Sequence, residues 1–342
     1  MKSNIILSAL ASTLMLASCG DDFLESEPTE FTSQDQIDDA TEINPEVPEG
    51  TVRGLYALMS TKGTGGTDLD HDDFGQKGWD IYSDILSGDM VLAGLTYGWY
   101  SQVPQLQTTI DFTNPDNAKP WRYYYRIIYQ ANKIVLSLGG NETTPESVSD
   151  KHNMGQAKAM RIYAYFYLAN LYAEGYNPTE EILPIYTEAE DQNQPLSTTK
   201  EVYDLIIKDL MEATVLLEGF SGTKSEINKW IAKDLLAYAY AAQGEYSQVK
   251  SLTQEIINSG AYPIMTAEEV IGGFNTVATP CWMWGTDITL DNNLDLVSWW
   301  GQVDLFTYSY AWAGDPKSID DNLYSYIKEG EIRKRSICRC LW

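Results

Sequence analysis

Apolar residues recur along this chain with a helical period. The clearest case is Gln156–Asn177, QAKAMRIYAYFYLANLYAEGYN, where Ala157, Met160, Ala164, Tyr167, Leu168 and Leu171 follow an i, i+3, i+4, i+7 stripe. Tyr163, Phe166 and Tyr172 fall on the other side. A helix apolar most of the way round belongs in an interior, with other helices packed on several sides. Gly175 and Pro178 are expected to stop it, through a left-handed cap and a missing N–H.

The same period predicts helices over Thr51–Met59, Trp79–Met90, Ala118–Leu138 (with Pro120 in its first turn), Lys200–Leu217, Asn228–Gln243 and Gly244–Ser259. Gly63–Gly66 reads as a turn, Leu92–Gln102 as a loop and Pro178–Pro195 as a proline-punctuated loop. CWMWGTDIT, alternating around Trp282 and Trp284, reads as a strand, and Leu296–Pro316 as loop-rich. In IAKDLLAYAYAAQGEYSQVKSLTQEIINSGAYPI, Ala237 and Ala241 allow a close helix partner, Gly244 turns the chain, and Gly260 and Pro263 close the unit. This resembles a tetratricopeptide repeat, with Val249 where the usual pattern has Ala. The expected fold is mostly α, built of tetratricopeptide-like helix pairs with irregular loops and a little β.

Residues 1–18 stand outside this pattern. Lys2 and the short apolar run Ile5–Leu16 read as an export signal, too short to span a bilayer with proper flanks. Leu16-Ala17-Ser18-Cys19 resembles the bacterial lipobox, where cleavage leaves Cys19 as a lipidated first residue. The alternative is an ordinary signal peptide followed by a coincidental cysteine. Residues 19–50, rich in Asp, Glu and Pro, form an acidic tether. The body then occupies 51–333 and an atypical tail 334–342.

A net charge of −26 repels phosphate backbones, which makes nucleic acid a poor partner. The four cysteines are too few for a disulfide scaffold, and the two histidines, His71 and His152, give no metal spacing. Asp68, Asp70 and Asp72 imitate the start of a calcium loop, but Asp73 and Trp79 stand where Gly and Glu are needed, so a solvated acidic loop fits better, with a looser cation site as the alternative. There is no Gly-x-Ser-x-Gly, His-Glu-x-x-His or phosphate loop, so no catalytic residue, metal or cofactor is assigned.

Aromatic content changes the picture more. The chain has 10 Trp and 23 Tyr, side chains that combine an apolar face with a polar handle. Tyr97, Trp99 and Tyr100 lie in one loop segment, and Trp299, Trp300, Tyr308, Tyr310 and Trp312 in the other. Such rings either plug a local cluster or form a stacking platform for the C–H face of a sugar.

The ordered set CGDDFLES, WRYYYRIIYQANKIV, AKAMRIYAYFYLANLYAEGYNP, LLAYAYAAQGEY and IINSGAYPI resembles the SusD/RagB family of outer-membrane lipoproteins from Bacteroidetes, from about Cys19 to Arg333. The resemblance implies a surface-exposed, non-catalytic glycan binder, lipid-anchored at the outer membrane and facing the exterior. It also implies a role as a lid on a TonB-dependent transporter of the SusC type. Family members place ligand contacts in irregular segments beside the repeats, which singles out Trp99, Trp299, Trp300 and Trp312 by region. Taken singly, each is as readily a core residue as a glycan-binding one. The alternatives are a helical-repeat protein-interaction scaffold and a surface glycosidase. Members are usually longer, and the ending IRKRSICRCLW, with four basic residues and two cysteines, departs from the pattern. A truncated or frameshifted reading frame is the expectation there, and a genuine short variant the alternative.

Overall fold

Side-chain caps decide where the helices begin. Asn114 accepts from the N–H of Asp116 at 2.9 Å and Ser147 from that of Asp150 at 3.0 Å. Thr198 and Glu201 form a reciprocal capping box, and Asn228 accepts from the N–H groups of Trp230 and Ile231. Each such cap contributes on the order of 1 kcal/mol by satisfying an otherwise orphaned donor.

The computed structural model describes residues 47–68, 70–189, 191–272 and 276–337, together with residues 36 and 40. The export signal, Cys19, most of the acidic tether, and Cys338 and Cys340 lie outside the described residues. The chain divides into two compact units, Met1–Val47 and Pro48–Trp342, and the described elements lie in the second, with α1 starting at the boundary. In order they are α1 (Val47–Ala57), α2 (Gln76–Ser87), β1 (Met90–Leu92), α3 (Gln107–Ile110), α4 (Pro115–Ser137) and α5 (Val148–Tyr172). There follow β2 (Glu181–Pro184), β3 (Leu196–Thr198), α6 (Thr199–Leu216), α7 (Lys229–Ala242), α8 (Tyr246–Asn258) and α9 (Ala267–Ile271). Last come α10 (Trp299–Val303), β4 (Lys317–Ile319) and α11 (Asp321–Tyr326).

Consecutive long helices pack on one another: α4 on α5, α5 on α6, α6 on α7 and α7 on α8. Helix α5 is the centre, because every residue from Asn153 to Tyr165 is buried. On its α6 side Gly155 permits a close approach, since a Cβ there would come 2.8 Å from Leu217 Cγ. The buried turn of α5 also carries charge. Arg161 donates to Asp209 Oδ2 through Nε at 2.9 Å, and to the side chains of Asn132 and Asn141 at 2.9 and 2.8 Å. Lys158 pairs with Glu212. These partners come from α4, α6 and the α4–α5 turn, so one polar network ties three helical segments together. A buried charge so fully bonded is tolerated, whereas the same charge unpaired would cost several kcal/mol.

Several expected boundaries shift. Helix α5 begins at Val148, nine residues before the first residue of the apolar stripe, because Ser147 and not the stripe sets its start. It ends at Tyr172 through the extended Ala173, so Gly175, with φ 137°, is not its left-handed cap. Pro115 takes the first position of α4, and Pro120 lies farther inside it. The segment Pro178–Pro195 is not all loop: β2 pairs antiparallel with β3, Leu183 opposite Ser197. CWMWGTDIT forms no strand. Trp284 instead donates its Nε1–H to Ser225 O at 3.0 Å and meets Tyr56 and Tyr163 edge-on. The strands present are two short antiparallel pairs among the described residues, β2–β3 and β1–β4.

Candidate functional site

The β1–β4 ladder joins two stretches more than two hundred residues apart, with Met90 opposite Ile319 and Leu92 opposite Lys317. The contact continues past the strands. Ala93 N–H donates to Pro316 O at 2.9 Å, and the Thr96 hydroxyl donates to Gly314 O at 2.8 Å. Gly94 is required here, because a Cβ would lie 2.4 Å from Gly314 O. The two aromatic loops are thereby held side by side.

In the first loop, Gly98 and Tyr100 both adopt positive φ, 77° and 64°. Tyr100 holds this uncommon conformation because its ring is buried and its hydroxyl lies 3.2 Å from the carbonyl oxygens of both Asp72 and Gly78. Trp99 is then turned against His71, the rings stacked at 5.1 Å and 17°. Tyr310 of the second loop closes the group: it meets His71 at 5.2 Å, Tyr97 at 5.0 Å and Trp99 at 6.4 Å. Its hydroxyl also hydrogen-bonds His71 Nδ1.

The second loop is organised by α10. Ser298 caps it by accepting from Gly301 N–H at 3.1 Å, and Gly301 O receives the N–H groups of Tyr310 and Ala311. A Cβ on Gly301 would lie 1.9 Å from Leu296 O, so only glycine fits. Gln302 donates to His71 O at 3.0 Å, fastening α10 to the first loop's support. Trp299 and Trp300 meet edge-on at 4.7 Å, and Tyr308 leans on Trp312 at 6.0 Å.

The four tryptophans singled out from sequence are thus brought to one region on two neighbouring loops, but not in one state. Trp299, Trp300 and Trp312 are 37%, 55% and 59% exposed, and no other described tryptophan is more than about a third exposed. Trp99 is half-buried in the His71–Tyr310 stack, and its Nε1 is buried without a partner among the described residues. Tyr97 and Tyr308, 53% and 74% exposed, add two rings that the tryptophan choice left out. His71 and Tyr310 support the group. Nothing local to the acidic loop signals His71, because its partners arrive from loops far along the chain.

Beneath the group lies the acidic stretch that imitates a calcium loop. The Lys119 ammonium is surrounded there, 2.7 Å from Asp70, 3.1 Å from Asp72 and 2.7 Å from Asp116. A protein cation therefore stands among the carboxylates, and the stretch is more than a solvated loop. Burial pushes the Asp72 carboxyl up from 3.8 to about 6 against the pull of Lys119, with Asp116 and Asp70 adding repulsion. Burial works against the charge on Lys119, but its carboxylate neighbours outweigh it and raise its pKa. Lys317, buried against Asp315 at 2.8 Å, is lowered by burial, with Asp315 opposing.

A family model described as "Starch-binding associating with outer membrane" matches residues 85–243. The SusD-like protein P25 of Formosa agariphila is 23% identical over 254 residues, covering 72% of this chain and 44% of that protein. Among solved structures, a SusD-like carbohydrate binding protein from Bacteroides vulgatus superposes with a TM-score of 0.71 at 22% identity, covering 84% of this chain and 59% of that one. Surface glycan-binding protein A from Bacteroides fluxus gives 0.61 at 16% identity, covering 84% and 63%. The fold is that of a SusD-like helical protein, and the family model matches a little under half of the chain. It spans less than half the length of the curated relative and about three fifths of the first of these structures.

Proposed function

We propose that this chain binds glycan on the aromatic platform formed by Trp299, Trp300 and Trp312 with Tyr97 and Tyr308, Trp99 acting as the stacked support. In this reading it is a lipoprotein of the cell's outer membrane, anchored through Cys19, facing the exterior and passing ligand to a TonB-dependent transporter of the SusC type. The observation that carries it is the exposure of three tryptophans on loops whose backbones are pinned by glycine contacts and hydrogen bonds. Large rings held rigidly in water lose little entropy on stacking against a sugar face. The family description and the names of the carbohydrate- and glycan-binding structures support the same class of ligand.

Asp304, on the platform's own loop, does not have the environment of a general acid. Asp304 accepts from the Thr307 hydroxyl and the Phe306 N–H, which hold its carboxyl below the usual range. A group so held is a poor proton donor for glycosidic cleavage. The interaction-scaffold alternative has its own support, because α6, α7 and α8 expose Val215, Tyr238 and Ile257.

The test is affinity electrophoresis of the soluble body through gels loaded with neutral glucans. Retardation is expected for the parent, and weakening of about fivefold for Trp300→Ala and Trp312→Ala, as roughly 1 kcal/mol per ring predicts. Retention unchanged in both variants would move the site elsewhere, and release of reducing ends would replace binding with hydrolysis.

A further inference from the structure

We infer that a second binding site, for a sugar carrying a protonated amine, lies in the cleft between α4 and the β2–β3 connection. The cleft has a volume of about 400 Å³, within the range of small-ligand pockets. Its walls are aromatic. Trp121 and Tyr125 lie 4.8 Å apart, and Tyr186 meets Tyr125 edge-on at 5.7 Å. The Tyr125 hydroxyl donates to Pro184 O at 2.8 Å and Asn132 donates to Tyr186 O at 3.1 Å, so the wall is fixed from both sides.

Two carboxylates line the same cleft, Glu188 and Asp191. Asp191 accepts from the N–H groups of Thr187 and Glu188 at 2.9 and 3.0 Å, and Glu188 accepts from Asn141 at 2.7 Å. Neither carboxylate is ion-paired among the described residues: Arg161 pairs with Asp209 and Lys208 with Glu142, while Lys133 stands over the Tyr129 ring. The ring of Tyr129, a further lining residue, already receives an ammonium, Lys133 Nζ lying 5.7 Å from its centroid. Unpaired negative charge beside π faces attracts a cation. The aromatic faces suit the C–H face of a pyranose, and the described lining residues include Glu188 and Asp191 but no Lys or Arg. The site shares no residue with the Trp299–Trp312 platform and does not depend on that reading.

The test titrates a glucosamine trisaccharide and its N-acetylated counterpart into the intact chain at physiological salt. The two differ in charge rather than in backbone. The amine form should bind about tenfold tighter to the parent, and Glu188→Gln and Asp191→Asn should each remove most of that preference. Asp191→Asn keeps an oxygen for the Thr187 and Glu188 amides, and Glu188→Gln changes an exposed side chain, so both should melt like the parent. Trp312→Ala should leave the preference intact. Equal binding of the two sugars, no binding of either, or loss in Trp312→Ala alone would overturn the proposal. So would a lysine tripeptide binding as tightly as the trisaccharide, since that would make the site one for amines of any kind.

Discussion

Trp99 and Trp312 carry the same side chain under opposite physical demands. Trp312 is 59% exposed and touches Tyr308, so truncating it removes a ligand face and little packing. Trp99 is stacked on His71 and edged by Tyr310, so its truncation empties the space that holds the two loops in register. Trp312→Ala should therefore leave the melting temperature within about 1 °C of the parent, whereas Trp99→Ala should cost at least ~2 kcal/mol as well as binding. Thermal melts of both variants check the contrast. From sequence these two residues look alike, because exposure is decided by loops that meet only in the folded chain.

Asp72 supplies a second argument at this scale. Its pKa rises from 3.8 to about 6, so the folded state holds the proton more tightly than the unfolded chain does. Stability contributed by this group rises as pH falls through about 6 and levels off below 3.8. Asp72→Asn removes that titration while Asp70 and Asp116 still pair with Lys119. Denaturant melts at about pH 7.5 and about pH 5 should show the parent gaining stability relative to the variant on acidification. A constant difference across that window would mean that the carboxyl titrates normally in the fold.

At the scale of elements, what the sequence reveals follows from how local the cause is. Helix α5 was legible because its burial and its period are written in consecutive residues, and α6, α7 and α8 likewise within a few positions. The caps that moved the ends, Asn114 and Ser147, are single polar residues outside the apolar pattern. The strands β1 and β4 span three residues each and pair beside the close approach of Gly94 to Gly314, which no local period records. The misread strand around Trp282 and Trp284 shows the converse. Its alternation comes from one ring reaching Ser225 O and the Tyr56–Tyr163 cluster, not from pleating. The Gly94 contact also makes a prediction. Gly94→Ala forces a Cβ to 2.4 Å from Gly314 O, so the two aromatic loops must part. Glycan retention should fall about tenfold or more while far-ultraviolet circular dichroism, dominated by α4 to α8, stays unchanged. Unimpaired retention would show that the ladder does not organise the platform.

For the whole molecule, charge decides which ligands can approach. The chain carries −26, and one of its carboxylates, Asp304, stands on the platform's own loop, its pKa lowered by its hydrogen bonds. A field of that sign repels sulfated or uronic-acid polymers before any ring can stack, and the repulsion falls off over about 10 Å at moderate salt. Stacking on Trp300 and Trp312, by contrast, depends on apolar faces and is barely screened. The expected outcome is retention of neutral glucans that is insensitive to salt, and retention of sulfated glucans that is absent at low salt and grows only weakly as salt is added. Affinity gels run with matched neutral and sulfated polymers over a salt series measure both terms at once. Strong low-salt binding of the sulfated polymer would require a local cationic patch that outweighs the field. Lys119 and Lys317 cannot supply one, because both ammonium groups are buried against carboxylates beneath the loops. On the proposed reading, the surface charge turns away anionic polymers while the rings of the platform stack on an uncharged sugar face.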